Sequence, residues 1–130
     1  MTAPDTRPTK VLIVEDNRVN QHVLKAILKQ EGLPVDIAEN GQEALDMCEQ
    51  HDVPYELIIM DVQMPVMNGI DATREIKSNP DYDDTKIVML TACALDADRE
   101  ESLHAGADAY MVKPLKREEL NKFLPTEKAE

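Results

Sequence analysis

The stretch Leu57-Ile58-Ile59-Met60-Asp61-Val62-Gln63-Met64-Pro65 contains a run of large apolar residues that ends at an aspartate. Such a run predicts a strand buried on both faces, as in the parallel sheets of α/β proteins. Met64-Pro65 prevents the strand from continuing. We therefore expect Asp61 at the carboxyl edge of a sheet, where these folds place their chemistry. Taken alone, an aspartate in this position is more simply a loop cap, so the rest of the chain must decide its role.

Four other short apolar runs also predict strands, and segments with helical spacing separate them. Together with 57–60, the predicted strands are 10–14, 34–38, 87–90 and 109–112. The predicted helices are 19–30, 41–51, 68–78, 94–104 and 116–124. Strands that alternate with helices in this way predict one α/β domain with a doubly wound, five-stranded parallel sheet. The short, alternating run 34–38 is typical of an edge strand.

The helical segments differ in how clearly they mark a buried face. In the third helix, Ile70, Thr73 and Ile76 are expected to point inward, and in the fifth helix the same is expected of Leu120, Phe123 and Leu124. The fourth helix has only Leu95 and Leu103 as large apolar residues, so it is weakly anchored and a candidate for movement. For the first helix, the expected buried positions are Val19, Val23, Ala26 and Ile27, widened by Leu24 and Leu28.

The charge of the chain limits its partners. Its 130 residues include 26 acidic and 14 basic side chains, for a formal net charge of −12. Direct binding to nucleic acid or to an anionic membrane is therefore not expected. No apolar stretch reaches the length of a membrane span, and residues 1–8 lack the apolar core of a signal peptide. We expect 1–8 to be a disordered tail, 9–124 to form the domain, and 125–130 to be a second tail.

The cysteines and histidines suggest no metal or disulfide site. Cys48 and Cys93 lie far apart and match no ligand spacing, so they are expected to be small apolar residues of a reduced, cytoplasmic protein. The histidines have no second ligand at a suitable spacing and are expected at the surface. They are His22, His51 and His104.

Four of the five predicted strands end in a residue suited to phosphate or metal chemistry. Glu15-Asp16 follow the first strand, Asp61 the third, Thr91 the fourth and Lys113 the fifth. The carboxyl edge of a parallel sheet gathers such positions into one crevice. One residue of this kind could occur there by chance, but the whole set favours a functional site over a loop cap.

Three carboxylates in one pocket repel each other, and a divalent cation relieves that repulsion. Oxygen ligands without histidine or cysteine favour Mg²⁺. With the metal in place, Asp61 could act as a nucleophile toward a phosphoryl group. Lys113 would supply positive charge and Thr91 a hydroxyl donor to the transferred oxygens.

These residues and their order resemble the receiver domain of two-component response regulators over residues 9–124, most closely the receivers of hybrid sensor histidine kinases. Each segment that carries the resemblance is weak evidence by itself, but together, in order, they make a specific signature. The segments are Val11-Leu12-Ile13-Val14-Glu15-Asp16-Asn17, Met60-Asp61-Val62-Gln63-Met64-Pro65-Val66-Met67-Asn68-Gly69, Leu90-Thr91-Ala92 and Gly106-Ala107-Asp108-Ala109-Tyr110-Met111-Val112-Lys113-Pro114. The resemblance implies a flavodoxin-like sheet of strand order 2-1-3-4-5.

The resemblance also implies a role for each site residue. Asp61 would accept a phosphoryl group from a phosphohistidine on a histidine kinase or a histidine phosphotransfer protein. Asp16, Asp61 and the backbone carbonyl of Gln63 would coordinate Mg²⁺, and Glu15 would act through metal-bound water. The chain would catalyse only its own phosphorylation and dephosphorylation, and would relay the phosphoryl group or signal through a changed surface.

The same resemblance implies a conformational switch. Thr91 would move toward the phosphate, Tyr110 would turn inward, and the surface of the fourth helix, fifth strand and fifth helix would shift. Lys113-Pro114 would be a cis peptide. Gln63 and Cys93, each two residues beyond a site residue, are expected to tune water access and therefore autodephosphorylation.

Two departures from the family pattern and two alternative functions accompany this prediction. Glu15-Asp16 stands where two aspartates are common, which keeps the carboxylate but changes its length. Pro125 shortens the last helix, so we expect a monomer, or at most a weak dimer.

One alternative is a degenerate receiver that only binds proteins. The other is a phosphohydrolase of the haloacid dehalogenase type, which is disfavoured because Gln63 occupies the place of its general acid and no cap domain is present.

Overall fold

A parallel five-stranded sheet forms the centre of the computed structural model, which describes residues 10–50, 53–62, 67–92, 96–113, 116–121 and 123. The strand order is β2-β1-β3-β4-β5, and each neighbouring pair is parallel. The strands are β1 (Val11–Val14), β2 (Val35–Ala38), β3 (Leu57–Asp61), β4 (Lys86–Thr91) and β5 (Ala109–Val112). The predicted doubly wound fold with strand order 2-1-3-4-5 is confirmed, including the edge position of β2.

Five α-helices connect or follow the strands. They are α1 (Arg18–Gln30), α2 (Gly41–Gln50), α3 (Gly69–Lys77), α4 (Asp96–Ala105) and α5 (Arg117–Asn121), and a 3₁₀ turn at Pro80–Tyr82 precedes β4. Asparagine side chains cap α1 and α3: Asn17 accepts a hydrogen bond from the backbone N–H of Asn20, and Asn68 from that of Asp71. Both caps lie at the carboxyl edge of the sheet, so α1 and α3 begin beside the predicted site.

The central strands are buried on both faces because their alternate residues belong to two separate apolar cores. In β3, Ile58 and Met60 pack with α2 and α3, whereas Leu57 and Ile59 pack with α1 and α5. This arrangement explains why the sequence shows continuous apolar runs there instead of alternation. Ile70, Thr73 and Ile76 of α3 are buried as predicted.

The predicted face of α1 is wrong in part. Leu24 and Leu28 are buried and Ile27 is half-buried. The side chains predicted to lead the face are exposed instead: Val19 is 69% exposed, Val23 46%, and Ala26 is also exposed. Two apolar stripes lie side by side on this helix, and the sheet covers only the stripe that contains Leu24 and Leu28.

In the described part of the fourth helix, small residues are buried, and Leu103, one of the two leucines predicted to anchor it, is not. Leu103 is 42% exposed, whereas Ser102 and Ala105 are buried. Leu95 lies outside the described residues. Small side chains bury less apolar surface than leucine, which agrees with the prediction of a weakly anchored helix.

Several other predictions fall outside the described residues. They concern the two tails, His51, Gln63, Cys93, Pro114 and Leu124. Within the described part, Cys48 is buried and its burial raises the pKa of the thiol to about 11, as expected for an apolar cysteine. None of the described helices is long and apolar enough to cross a membrane.

Candidate phosphoryl-transfer site

The register of the sheet brings the predicted carboxylates together. Val14 of β1 lies beside Met60 of β3, so Glu15 and Asp16 follow at the level of Asp61. Asp61 is the last residue of β3 and is only 6% exposed. Carboxylate oxygens of Glu15, Asp16 and Asp61 all lie within 4.8 Å of one another. Of the three side chains, Asp16 is exposed and the other two are buried.

The pairing of β4 with β5 places the predicted threonine and lysine at the same edge of the sheet. Thr91 ends β4, is buried, and lies beside Val112 of β5. Lys113 follows β5 directly, and its backbone N–H donates a 2.7 Å hydrogen bond to the carbonyl of Thr91. The end of β5 is thereby fixed against β4, which directs Lys113 into the site.

Lys113 is the cation that balances the carboxylates. Its Nζ lies 3.1 Å from Oε1 of Glu15 and 3.2 Å from Oδ2 of Asp61. Burial alone would lower the pKa of this lysine, but the interaction in which its ammonium donates to the Glu15 carboxylate, together with the charge of Asp61, outweighs burial and raises the pKa above its usual value. One ammonium therefore bridges the two buried carboxylates, while three carboxylates leave an excess of negative charge.

Tyr110, predicted as a switch residue, lies next to Met89 in the sheet. Its ring is half-buried against the core on the α2 and α3 side of the sheet. The hydroxyl is buried and has no hydrogen-bond partner in the described part of the chain. A buried hydroxyl without a partner costs free energy.

Gly69 lies beside the site and ends one of the segments that carry the family resemblance, but the sequence alone does not say why a glycine stands there. Its N–H donates a 2.8 Å hydrogen bond to the carbonyl of Val62, which places the first turn of α3 directly against the end of β3. A Cβ atom at this position would lie 2.0 Å from the carbonyl oxygen of Asp61. Glycine is unfavourable within a helix, so a glycine directly after the cap of a predicted helix is a usable signal of close backbone approach.

Comparisons with known proteins agree with this arrangement of fold and site. A sequence model of the response regulator receiver domain matches residues 11–124. The chain therefore belongs to the response regulator receiver family of two-component signal transduction, as predicted. Its relatives include hybrid histidine kinases and separate response regulators. This membership favours the receiver prediction over the haloacid dehalogenase alternative.

One relative is the hybrid signal transduction histidine kinase I of Dictyostelium discoideum, with 36% identity over 126 residues. The match covers 92% of this chain but only 7% of the kinase. The chain therefore corresponds to one small segment of that much longer relative.

Two solved structures are informative for the site. The receiver domain of sensor histidine kinase PA1611 from Pseudomonas aeruginosa, with a magnesium ion coordinated in its active site cleft, has 40% identity and a TM-score of 0.78, covering 89% of this chain and 93% of that one. The other structure is the receiver domain of Ssk1 from Saccharomyces cerevisiae in complex with the histidine phosphotransfer protein Ypd1. It has 33% identity and a TM-score of 0.77, and the match covers 88% of this chain and 86% of that one.

Gly69→Ala is expected to displace Asp61. The new methyl group meets backbone atoms, so α3 and the end of β3 must separate by about 1 Å or more, at a cost of about 1–3 kcal/mol in the free energy of unfolding. We expect amide NMR signals of Asp16, Asp61 and Lys113 to shift. Gly32→Ala is the control, because Gly32 has a φ of 75° but no atom within 4 Å of an added Cβ. If Gly69→Ala leaves the signals of the site as unchanged as Gly32→Ala does, Gly69 does not position Asp61.

Proposed function

We propose that the chain is a phosphoacceptor and that Asp61 is the residue phosphorylated. The observation that carries this proposal is the position of Asp61, a buried carboxylate within 3.2 Å of a lysine ammonium and within 4.8 Å of two further carboxylates. Positive charge must lie close to this buried carboxylate and to the oxygens of the incoming phosphoryl group, because both are negatively charged. Lys113 supplies part of that charge.

The donor set suits Mg²⁺. Three carboxylates against one lysine leave net negative charge, and all the donors are hard oxygens. Asp16 and Asp61 would coordinate the ion directly, together with the backbone carbonyl of Gln63, and Glu15 would act through bound water. Mg²⁺ would supply charge neutralisation for the phosphoryl oxygens. The magnesium ion in the cleft of the PA1611 receiver supports this assignment.

In the reaction, a carboxylate oxygen of Asp61 forms a bond to phosphorus while the bond from phosphorus to the histidine nitrogen of the donor breaks. The imidazole leaves with the electron pair, and an acyl phosphate remains on Asp61. Lys113 exchanges its contact with Asp61 for one with the phosphoryl oxygens, and Thr91 donates its hydroxyl to them. A water molecule later attacks phosphorus, the bond from phosphorus to the Asp61 oxygen breaks, and inorganic phosphate leaves while the carboxylate is restored.

The donor is a phosphohistidine of a histidine kinase or a histidine phosphotransfer protein. The Ssk1 receiver, a structural neighbour, forms a complex with such a phosphotransfer protein. Beside the site, α1 exposes Val19 and Val23, which provide an apolar contact for a protein donor. We place the domain at 9–124, acting in the cytoplasm, where histidine kinases expose their catalytic parts.

Phosphorylation is tested by incubating the protein with Mg²⁺ and acetyl phosphate and measuring its intact mass. We expect a gain of one phosphoryl group in the wild type and none in Asp61→Asn. Asp84→Asn, an exposed change of the same type, should behave as wild type. A wild type that takes no phosphoryl group from acetyl phosphate or from a phosphohistidine donor would instead be a degenerate receiver. Sustained hydrolysis of small phosphate esters would favour a hydrolase.

The switch is tested with beryllofluoride, a mimic of the phosphoryl group, in the presence of Mg²⁺. We expect amide signals of Thr91, Tyr110 and α4 to shift, because the Tyr110 hydroxyl has no partner among the described residues and the buried residues of α4 are small, so little packing energy opposes a rearrangement. Asp61→Asn is the control and should show no shift there. Changes confined to Glu15, Asp16, Asp61 and Lys113 would contradict the switch.

A further inference from the structure

The Glu15 side chain is held more firmly than a residue that acts only through water would need to be. It is 1% exposed, its Oε2 has hydrogen-bond donors from the chain, and its Oε1 lies beside the Lys113 ammonium. Oε2 accepts a 3.1 Å hydrogen bond from the backbone N–H of Asn17 and lies 3.5 Å from Nδ2 of Asn20. Oε1 lies 3.1 Å from Nζ of Lys113. The carboxylate is therefore directed toward α1 and Lys113.

The donors on α1 have fixed positions. The backbone N–H of Asn20 donates to the capping side chain of Asn17, which sets the first turn of the helix. Nε2 of Gln21 donates a 2.7 Å hydrogen bond to the carbonyl of Glu15, which ties this helix to the end of β1. The side-chain amide of Asn20 is thus carried by a rigid element next to the carboxylate, as a positioning group requires.

The contact depends on the length of the glutamate. An aspartate at this position would place its carboxylate about 1.5 Å closer to the backbone, one carbon–carbon bond shorter. A separation that is already 3.5 Å would then exceed hydrogen-bond distance. Glu15, Asn20 and Lys113 also line a cavity of about 330 Å³, so the carboxylate has room to turn if the amide no longer holds it.

We propose that Asn20 is a positioning residue. It holds the Glu15 carboxylate against Lys113 and keeps it out of direct contact with the proposed Mg²⁺ ion. Among the described side chains, Asp16 and Asp61 then ligate the ion directly, and Lys113 stays between Glu15 and Asp61, ready to contact the oxygens of the incoming phosphoryl group. Asn20 touches neither substrate nor metal. The proposal rests on the proposed phosphoacceptor function and assigns a residue to it that the family signature does not explain.

The test uses Asn20→Asp, which has the shape of asparagine but replaces the donor with a second carboxylate. Repulsion should turn Glu15 away from Lys113, and we expect the rate of phosphorylation by acetyl phosphate at saturating Mg²⁺ to fall about tenfold, as for loss of a hydrogen bond to a charged group. Asn20→Ala should lower this rate less, by about threefold. His22→Asp, which adds a similar charge at an exposed site of α1, should have little effect.

Introducing Asn20→Asp into a Glu15→Gln variant separates a positioning role of Asn20 from a general structural role. Glutamine carries no charge and is not repelled by the introduced carboxylate, so Asn20→Asp should lower the rate less than about twofold there. Equal losses in the Glu15 and Gln backgrounds would overturn the proposal. Such additivity is what a purely structural role predicts.

A measurement without metal or phosphodonor keeps this inference distinct from the proposed function. In metal-free protein, Asn20→Ala should shift the backbone amide signal of Asn17 and the Nζ signal of Lys113, because both groups contact the Glu15 carboxylate. Unchanged signals would show that Asn20 does not hold Glu15, even if phosphorylation is normal. A wild type that takes no phosphoryl group would contradict the phosphoacceptor function, and the metal-free shifts would still decide the position of Glu15.

Discussion

The ion pairs of Lys113 with two buried carboxylates are the interactions on which the site depends. Glu15 and Asp61 are almost completely buried and lie in the same pocket. Without a nearby cation, two such carboxylates would repel each other strongly. Lys113 removes that conflict and at the same time leaves the site short of positive charge, which suits it to a divalent ion.

Backbone packing determines where these charges lie. The hydrogen bond between the N–H of Lys113 and the carbonyl of Thr91 fixes the end of β5. On the other side, Gly69 lets α3 begin in contact with the peptide of Asp61. The site is thus built from strand ends and helix starts, and rigid elements carry each charged group.

Most of the fold and the main site residues could be predicted from the sequence, because both depend on strong local signals. Continuous apolar runs identify buried parallel strands, and the carboxyl edge of such a sheet brings Asp61 and Lys113 together from far apart in the chain. The face of α1 could not be predicted with the same success. Val19 and Leu24 both belong to apolar stripes, and only the position of the sheet decides which stripe is buried.

The contributions of Gly69 and Asn20 depend on distances that no sequence pattern contains. Glycine at a helix start signals close approach but does not say to which atom, and here the atom belongs to Asp61. An asparagine five residues after Glu15 reaches the carboxylate only because α1 folds back over the end of β1. Side-chain length and helix position together create this contact, so it becomes visible only in three dimensions.

The most direct test of this account is the free energy of unfolding of Lys113→Met, measured in EDTA and in Mg²⁺. Removal of the ammonium leaves two buried carboxylates without their counter-charge, so we expect a loss of about 2–4 kcal/mol in EDTA. Mg²⁺ should then stabilise Lys113→Met more than it stabilises the wild type, because the ion replaces the missing charge. Lys25→Met, at an exposed site of α1, is the matched control. Equal stability of the two variants in EDTA, or an equal gain from Mg²⁺ in Lys113→Met and wild type, would contradict the central role of Lys113.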